Sequence, residues 1–138
     1  MKIVYTLTFF LVMAFAAKGQ GNLQFSTAKF IRFEKTFPST GGVNYQFFDS
    51  LFVVPAGKVW KLESSGSSSD VSGAESTFAN SRIDGVAISS ASRSNTAKYN
   101  FPIWLPTGTY KFGISAIPLS GSEKVSAYFS ILEFNIVQ

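Results

Sequence analysis

Apolar residues that recur at every second position constrain the fold of this chain more than any other feature. In the segment Lys29–Phe37, Ile31 and Phe33 would lie on one face of an extended strand. Arg32 and Glu34 would lie on the opposite face. Because side chains alternate between the two faces of a strand, this pattern indicates a half-buried β-strand. No stretch beyond the first 20 residues sustains the 3.6-residue period of a helix, so the chain is predicted to be all-β.

Two apolar-Pro-x-Gly corners, about 50 residues apart, punctuate the strands. Pro55-Ala56-Gly57 joins two β-favouring runs and is predicted to close a hairpin, with proline at the first corner and glycine at a positive φ. Pro106-Thr107-Gly108 repeats this arrangement. Asp84-Gly85, which stands between Ile83 and Val86, predicts a second hairpin, because both corner positions of a two-residue turn favour a positive φ.

Two serine-rich segments, Ser64–Thr77 and Ser89–Thr96, separate the strand patterns. They contain too little apolar surface to offset the entropy of ordering them, so both are predicted to be mobile loops. Between the second segment and the next corner, the residues from Tyr99 to Leu105 alternate cleanly around Pro102. A proline inside such a run predicts an edge strand or a bulge.

The apolar residues of the last strand change parity between Ile131 and Leu132, and this change predicts a β-bulge at that point. Roughly seven to nine strands, separated by turns, predict a single antiparallel β-sandwich domain over residues 20–138. An eight-stranded jelly roll is the first choice, because the two Pro-x-Gly corners suit a double Greek key. An immunoglobulin-like sandwich is the second choice.

Residues 1–19 have the layout of a secretory signal peptide, with a lysine near the start and a mostly apolar stretch at Ile3–Ala17. Small residues at Ala17 and Gly19 favour cleavage before Gln20. The apolar stretch is shorter than the about 20 residues of a spanning helix, so no membrane span is expected in the mature chain. The protein is therefore predicted to be secreted or held at the cell surface.

The composition removes most catalytic chemistry, because the chain contains no histidine and no cysteine. The usual general base, the thiolate nucleophile and most zinc, copper and haem ligands are missing, so no catalytic residue, metal or cofactor is predicted. A hydrolase that uses two carboxylates stays a weak alternative. Glu63 and Glu133 are predicted to lie on solvent-facing sides of strands, and Asp70 and Glu75 leave calcium open without matching a calcium loop. No basic run suggests nucleic acid.

Aromatic residues, at 16% of the chain, are the remaining functional signal. Alternation places Trp60 in the core and Trp104 on the outside of a strand. Trp104, with Tyr99 and Tyr45, is therefore the predicted contact site for a sugar or for another subunit. The leading hypothesis is an exported, non-enzymatic protein that acts by binding or by self-assembly as a homo-oligomer. A small carbohydrate-binding module that holds a surface glycan is the alternative.

The turn motifs resemble those of small exported or phage-associated β-sandwich proteins, which carry a VPAGK turn, an I-[ND]-G hairpin and an LPxGT corner. The matching stretches here are Val54–Lys58, Ile83–Gly85 and Pro102–Thr109, and the resemblance covers Phe52–Tyr110. It implies a β-sandwich fold. Many of those proteins are uncharacterised, and others are tail-fibre or surface-adhesion modules. The LPTGTY stretch is also similar to C-terminal sorting domains of Bacteroidota secretion, but those end in a lysine-bearing strand that Phe134–Gln138 lacks.

Overall fold

The computed structural model of the protein describes residues 22–39, 41, 44–70, 78–91, 101–118 and 121–137, and the predicted signal peptide at residues 1–19 lies outside them. These residues form eight strands: β1 (Asn22–Phe37), β2 (Gln46–Val54), β3 (Lys58–Asp70), β4 (Phe78–Ile83), β5 (Val86–Ala91), β6 (Ile103–Leu105), β7 (Gly108–Ile117) and β8 (Glu123–Val137). Within these ranges there is no helix with the length and apolar character needed to cross a membrane.

The strands build two antiparallel four-stranded sheets that pack face to face. Sheet I has the order β1-β8-β3-β6, and sheet II has the order β2-β7-β4-β5. Each strand of the first half pairs with a counterpart from the second half, namely β1 with β8, β2 with β7, β3 with β6 and β4 with β5. Such nested pairing, rolled over two sheets, is the eight-stranded jelly roll. The first-choice fold prediction is therefore confirmed, and the immunoglobulin-like alternative is not.

The Asp84-Gly85 turn lies at the centre of this nested pairing. Both residues have a positive φ, 47° and 83°, and Ile83 pairs with Val86 across the turn. The predicted two-residue hairpin is thus confirmed. The turn is also bound to β7, because the Asp84 N–H donates to the Lys111 carbonyl at 2.8 Å and the Lys111 N–H donates to Asp84 Oδ1 at 2.7 Å.

The Pro55 corner does not close a hairpin, because β2 belongs to sheet II and β3 belongs to sheet I. The Lys58 N–H donates to the Pro55 carbonyl at 3.1 Å, and Gly57 has the expected positive φ of 72°. This hydrogen bond places Ala56, not Pro55, at the first corner. The hairpin prediction is wrong because the chain crosses from one sheet to the other at this corner. The apolar faces of the two strands then point towards each other across the interior. Placing the strands in opposite sheets buries both Val54 and Trp60 between the sheets.

The second corner also crosses between the sheets, from β6 to β7, but it does not require glycine. Gly108 lies at the start of β7 and is not among the residues with a positive φ. The predicted equivalence of Gly108 and Gly57 is therefore wrong. The two corners contact each other, because Thr107 Oγ1 lies 3.1 Å from the Pro55 carbonyl oxygen and 3.2 Å from that of Lys58.

The serine-rich residues Ser64–Asp70 form the second half of β3 and pair with β8, so the loop prediction is wrong there. Backbone pairing orders them, and their hydroxyls bond across the sandwich. Ser65 Oγ donates to Ser81 Oγ at 2.5 Å, and Ser67 Oγ donates to the Ala79 carbonyl at 2.8 Å. The rest of that segment lies outside the described residues. In the other predicted loop, residues 89–91 belong to β5 and 92–96 are not described.

The predicted bulge in β8 is wrong. Every second residue of β8 from Glu123 to Glu133 is buried, without a change of parity. The irregularities instead lie in the strands that flank β8, between Phe25 and Thr27 in β1 and between Leu62 and Ser64 in β3. Because β8 keeps its alternation, its last outward residues lie on the outer face of sheet I.

Aromatic side chains from both sheets form the centre of the core. The ring of Phe112 packs against Phe129 at 5.0 Å, Phe52 at 5.5 Å and Trp60 at 6.3 Å between ring centres. Trp60 is 4% exposed, which confirms its predicted place in the core. The prediction of an edge strand is also confirmed, because β6, which follows Pro102, is the last strand of sheet I.

The two corner glycines should respond differently to substitution. We expect Gly57→Ala to lower the free energy of unfolding by about 1–2 kcal/mol, because a side chain is strained at a positive φ. Gly108→Ala is the matched control and should change it by less than about 0.5 kcal/mol, since the new Cβ would lie no closer than 3.4 Å to Tyr110. Urea unfolding of both variants measures the difference. Equal losses would contradict this account of the corners.

Candidate binding face

The outer face of sheet I carries aromatic and charged side chains side by side. Adjacent strands place Arg32 next to Tyr128, and Glu34 next to Ser126, on the side away from the core. Together with Phe30 and Lys124, these residues define what we call the binding face: Phe30, Arg32, Glu34, Lys124, Ser126 and Tyr128. All of them belong to β1 or β8, which are hydrogen-bonded neighbours.

Two exposed aromatic rings form the apolar part of the binding face. Phe30 and Tyr128 are stacked with an interplanar angle of 17° and ring centres 5.9 Å apart, and they are 67% and 42% exposed. The Tyr128 ring lies across the backbone of β3 at Gly66, where a Cβ atom would come within 2.5–2.7 Å of the ring. Gly66 therefore allows the ring to lie flat on the sheet, as glycine in a strand does where another group approaches closely.

Three charged side chains form the polar part of the binding face. The Glu34 carboxylate accepts a hydrogen bond from Lys124 at 2.7 Å and one from Arg32 at 3.3 Å. The hydrogen bond from Lys124 lowers the pKa of Glu34 below its ordinary value, and the charges of Lys124 and Arg32 act in the same direction. Glu34 is therefore ionised at neutral pH. Ser126 Oγ and Ser68 Oγ, 2.8 Å apart, add hydroxyls beside the charges.

The binding face contains two adjoining depressions. The first has a volume of about 250 Å³ and is lined by Phe30, Arg32, Ser126, Ala127 and Tyr128. The second has a volume of about 300 Å³, and its lining combines the charged residues with three serines: Arg32, Glu34, Ser68, Ser69, Lys124 and Ser126. Because Arg32 and Ser126 line both depressions, the aromatic and charged surfaces are continuous.

Trp104 lies on the same outer face of sheet I. It is 45% exposed, which agrees with the predicted outward orientation. Its ring centre lies 5.9 Å from that of Phe134, and Lys61 Nζ lies 5.6 Å from the centre of the Trp104 ring. Trp104 pairs with Lys61, and Lys61 pairs with Leu132 of β8. Leu132 and Tyr128 are four residues apart, so this second aromatic cluster lies about 14 Å along the sheet from Tyr128.

Tyr45, another of the predicted contact residues, does not join this face. Tyr45 is 46% exposed and precedes β2, and its ring stacks on Phe47 with ring centres 6.2 Å apart. It thus lies beside sheet II, and the structure does not bring it together with Trp104. Tyr99 lies outside the described residues.

The sequence pattern does not single out Phe30 and Tyr128, although it contains a signal for Phe30. Phe30 shares its strand parity with Arg32 and Glu34, which were assigned to the polar face. What could not be found from the pattern is that β1 and β8 are neighbours. The pattern also does not reveal that Gly66 lies beneath Tyr128, because the serine-rich composition around Gly66 predicts a loop.

Glu133 lies inside the sandwich, so its predicted place on a solvent-facing side is wrong. It is 5% exposed, because β8 keeps its alternation past Ile131 and places Glu133 beside Trp60 of β3. Trp60 Nε1 donates to Glu133 Oε2 at 2.8 Å, Lys58 Nζ donates to Oε1 at 2.9 Å, and Lys29 Nζ lies 3.4 Å from Oε2. The carboxylate thus connects β8 with both of its neighbours.

The charge state of Glu133 follows from these contacts. Burial alone raises the pKa of a carboxylate, but the hydrogen bonds from Lys58, Trp60 and Lys29 outweigh that effect and lower the pKa of Glu133 to about 2. A carboxylate that is ionised in this way has no proton to donate at neutral pH. Its place in the structure therefore fits a structural role and not that of a general acid.

Neither a metal site within the described residues nor a similar protein points to a function for this chain. Across the ranges that the structure describes, no three acidic residues are grouped so that they could hold a metal ion, and Glu75 lies outside those ranges. Comparison with models of known protein families, with curated proteins and with solved structures gave no match.

The ionised Glu133 should make folding sensitive to acid. Its pKa is lower in the folded state than its ordinary value of 4.5, so its stabilising effect is complete above about pH 4.5 and is lost as the pH falls towards 2. We expect the effect to reach about 1–3 kcal/mol, because solvent partly screens the two lysines. Glu133→Gln should lower the free energy of unfolding at pH 7 and flatten its pH dependence between 4.5 and 2.

Urea unfolding at a series of pH values measures this effect. Glu34→Gln is the matched control, since Glu34 also pairs with two cations but lies on the surface, where such pairs contribute little. A wild-type stability that does not fall between pH 4.5 and pH 2 would show that Glu133 is not held as described.

Replacing each of the two tryptophans by alanine should lower the stability of the fold by very different amounts. Trp60→Ala removes a ring packed against Phe112 and the donor to Glu133, and we expect a loss of about 3–5 kcal/mol. Trp104→Ala removes a half-exposed ring at a sheet edge and should change stability by less than about 1 kcal/mol. Thermal melting of both variants tests this. The opposite order would mean that the strands are shifted by one residue.

Proposed function

We propose that the protein is an exported, non-enzymatic binding module that holds a glycan on the binding face of sheet I. The observation that carries the proposal is the exposed Phe30–Tyr128 stack, which directly adjoins the ion pairs of Arg32, Glu34 and Lys124. Export is supported by the layout of residues 1–19. A role without catalysis is supported by the missing histidine and cysteine.

A sugar ring matches this mixture of groups. Its faces present C–H bonds, which are attracted to the electron-rich faces of aromatic rings, and its rim presents hydroxyls. Hydroxyls bond well to charged donors and acceptors, since such hydrogen bonds are stronger than neutral ones. Arg32 and Lys124 supply donors, and Glu34 supplies an acceptor, within the depression next to the Tyr128 ring.

The binding face is organised before any ligand arrives. Gly66 lets the Tyr128 ring lie flat, and Glu34 pairs with both Lys124 and Arg32. Groups that are already ordered lose little entropy on binding, which favours affinity. The second aromatic cluster at Trp104, about 14 Å along the same face, favours an extended polysaccharide over a single sugar.

Affinity electrophoresis through gels that contain soluble polysaccharides, such as β-glucan, xylan or mannan, tests the proposal. We expect retention by at least one of them. Tyr128→Ala should weaken binding by about 30-fold, which corresponds to the loss of about 2 kcal/mol for an aromatic anchor. Gly66→Ala should also weaken binding, because it lifts the Tyr128 ring without removing it.

Tyr45→Ala is the matched control, since Tyr45 and Tyr128 are the same residue type and are 46% and 42% exposed. It should bind like the wild type. Trp104→Ala should weaken binding of polysaccharides but not of short oligosaccharides that cannot reach it. The proposal fails if no polysaccharide is retained, or if Tyr128→Ala and Gly66→Ala bind normally. Loss of binding in Tyr45→Ala alone would move the site to sheet II.

A further inference from the structure

One of the two edges of sheet II is formed by β2, and within the described residues this strand carries none of the usual protections against pairing. Over the ranges that the structure describes, β2 is hydrogen-bonded on one side to β7 and to no strand on the other. Free strand edges invite pairing, and proteins usually block them with lysines, prolines or bulges. The sequence of β2, QFFDSLFVV, contains no lysine, arginine, proline or glycine.

The neighbouring edge, formed by β1 in sheet I, differs in this respect. Lys29 and Lys35 point towards the interior from β1, where Lys29 contacts Glu133 and Lys35 Nζ lies 5.4 Å from the Phe48 ring centre. The irregularity between Phe25 and Thr27 interrupts the same strand. Inward charges and bulges both hinder pairing at an edge. Of these two adjacent edges, β2 is the one without such devices in the part of the chain that the structure describes.

The outer side of β2 is also apolar. Phe47, Leu51 and Val53 are 57%, 66% and 60% exposed and form a row along the strand. The one charge, that of Asp49, folds back over β7 and away from the edge. It occupies the space above Gly113, where a Cβ would overlap it, and it pairs with Arg82 on the far side of β7 at 3.8 Å.

We propose that β2 pairs with β2 of a second copy of this chain, in antiparallel register, so that the two sheets II form one continuous eight-stranded sheet. A two-fold axis at Ser50 would place Phe47 opposite Val53 of the partner subunit, and Phe48 opposite Phe52 of the partner subunit. All nine residues of β2 are then paired. Homodimers of this two-fold kind are the commonest oligomers.

Charge and parity select this register. A shift of the axis to Asp49 would set two carboxylates opposite each other, and a shift to Leu51 would leave Gln46 and Phe47 without partners. A change of register by one residue would exchange the faces of the strands. With the axis at Ser50, Asp49 faces Leu51 of the partner subunit, whose neighbour on β7 is Lys111. Across the joined sheets, each Asp49 then lies between Arg82 of its own chain and Lys111 of the partner subunit.

Sedimentation of the purified protein at increasing concentration is the first test, and we expect a dimer. Phe47→Lys combined with Val53→Lys places lysines opposite each other and should give a monomer, while thermal melting shows that it stays folded. Phe47→Glu combined with Val53→Glu should also be monomeric. An equimolar mixture of the two variants should regain the dimer, because each lysine then faces a glutamate. A monomeric wild type, or a dimer unaffected by these changes, would overturn the proposal.

Cross-linking tests the register, because the chain has no cysteine of its own. Ser50→Cys places two thiols at the axis, where Cβ atoms of paired strands are about 4.5–5.5 Å apart, and oxidation should give a covalent dimer. Thr109→Cys, an exposed position on β7, is the control and should cross-link little. Equal cross-linking at both positions would overturn the register. The result is independent of glycan binding, since the binding face belongs to sheet I.

Discussion

Uninterrupted side-chain alternation along β8 determines both faces of sheet I. The strand lies between β1 and β3, so its inward residues from Glu123 to Glu133 are buried between the sheets and its outward residues lie on the outer face. Alternation without a bulge carries Glu133 into the interior beside Trp60, and it directs Tyr128 outwards beside Phe30. The irregular positions needed to fit the long strands together fall in the flanking strands instead.

The buried carboxylate has a physical consequence for the whole end of the sandwich. A lone charge in the interior would be strongly unfavourable, and Glu133 is tolerated because donors from β1 and β3 surround it. The same contacts make the position selective, since an apolar residue there would leave the Trp60 N–H and two ammonium groups without their acceptor. The carboxylate therefore links three strands at one point, since β8 supplies the acceptor and β1 and β3 supply the donors.

Local pattern predicted the parts of the structure that depend on local chemistry. The Asp84-Gly85 turn, the inward Trp60 and the outward Trp104 each follow from turn chemistry or strand parity, and each is confirmed. Pattern could not show which strands are neighbours. For that reason the turn chemistry of the Pro55 corner predicts a hairpin, although the two strands lie in different sheets. The composition of Ser64–Asp70 predicts a loop, because the strand that orders this segment, β8, lies some 60 residues away in the sequence.

The two halves of β3 pack against the opposite sheet by different means. Trp60 and Leu62 fill one half of the interior with large apolar side chains, whereas Ser65 and Ser67 meet sheet II through hydroxyl hydrogen bonds. Small polar contacts bury less apolar area and contribute less to local stability. The interior therefore changes character along β3, from large apolar side chains at Trp60 and Leu62 to hydroxyl contacts at Ser65 and Ser67. Ser68 and Ser126 lie on the outer face of that same half, so serine hydroxyls line the charged depression on one side of the sheet and meet sheet II on the other.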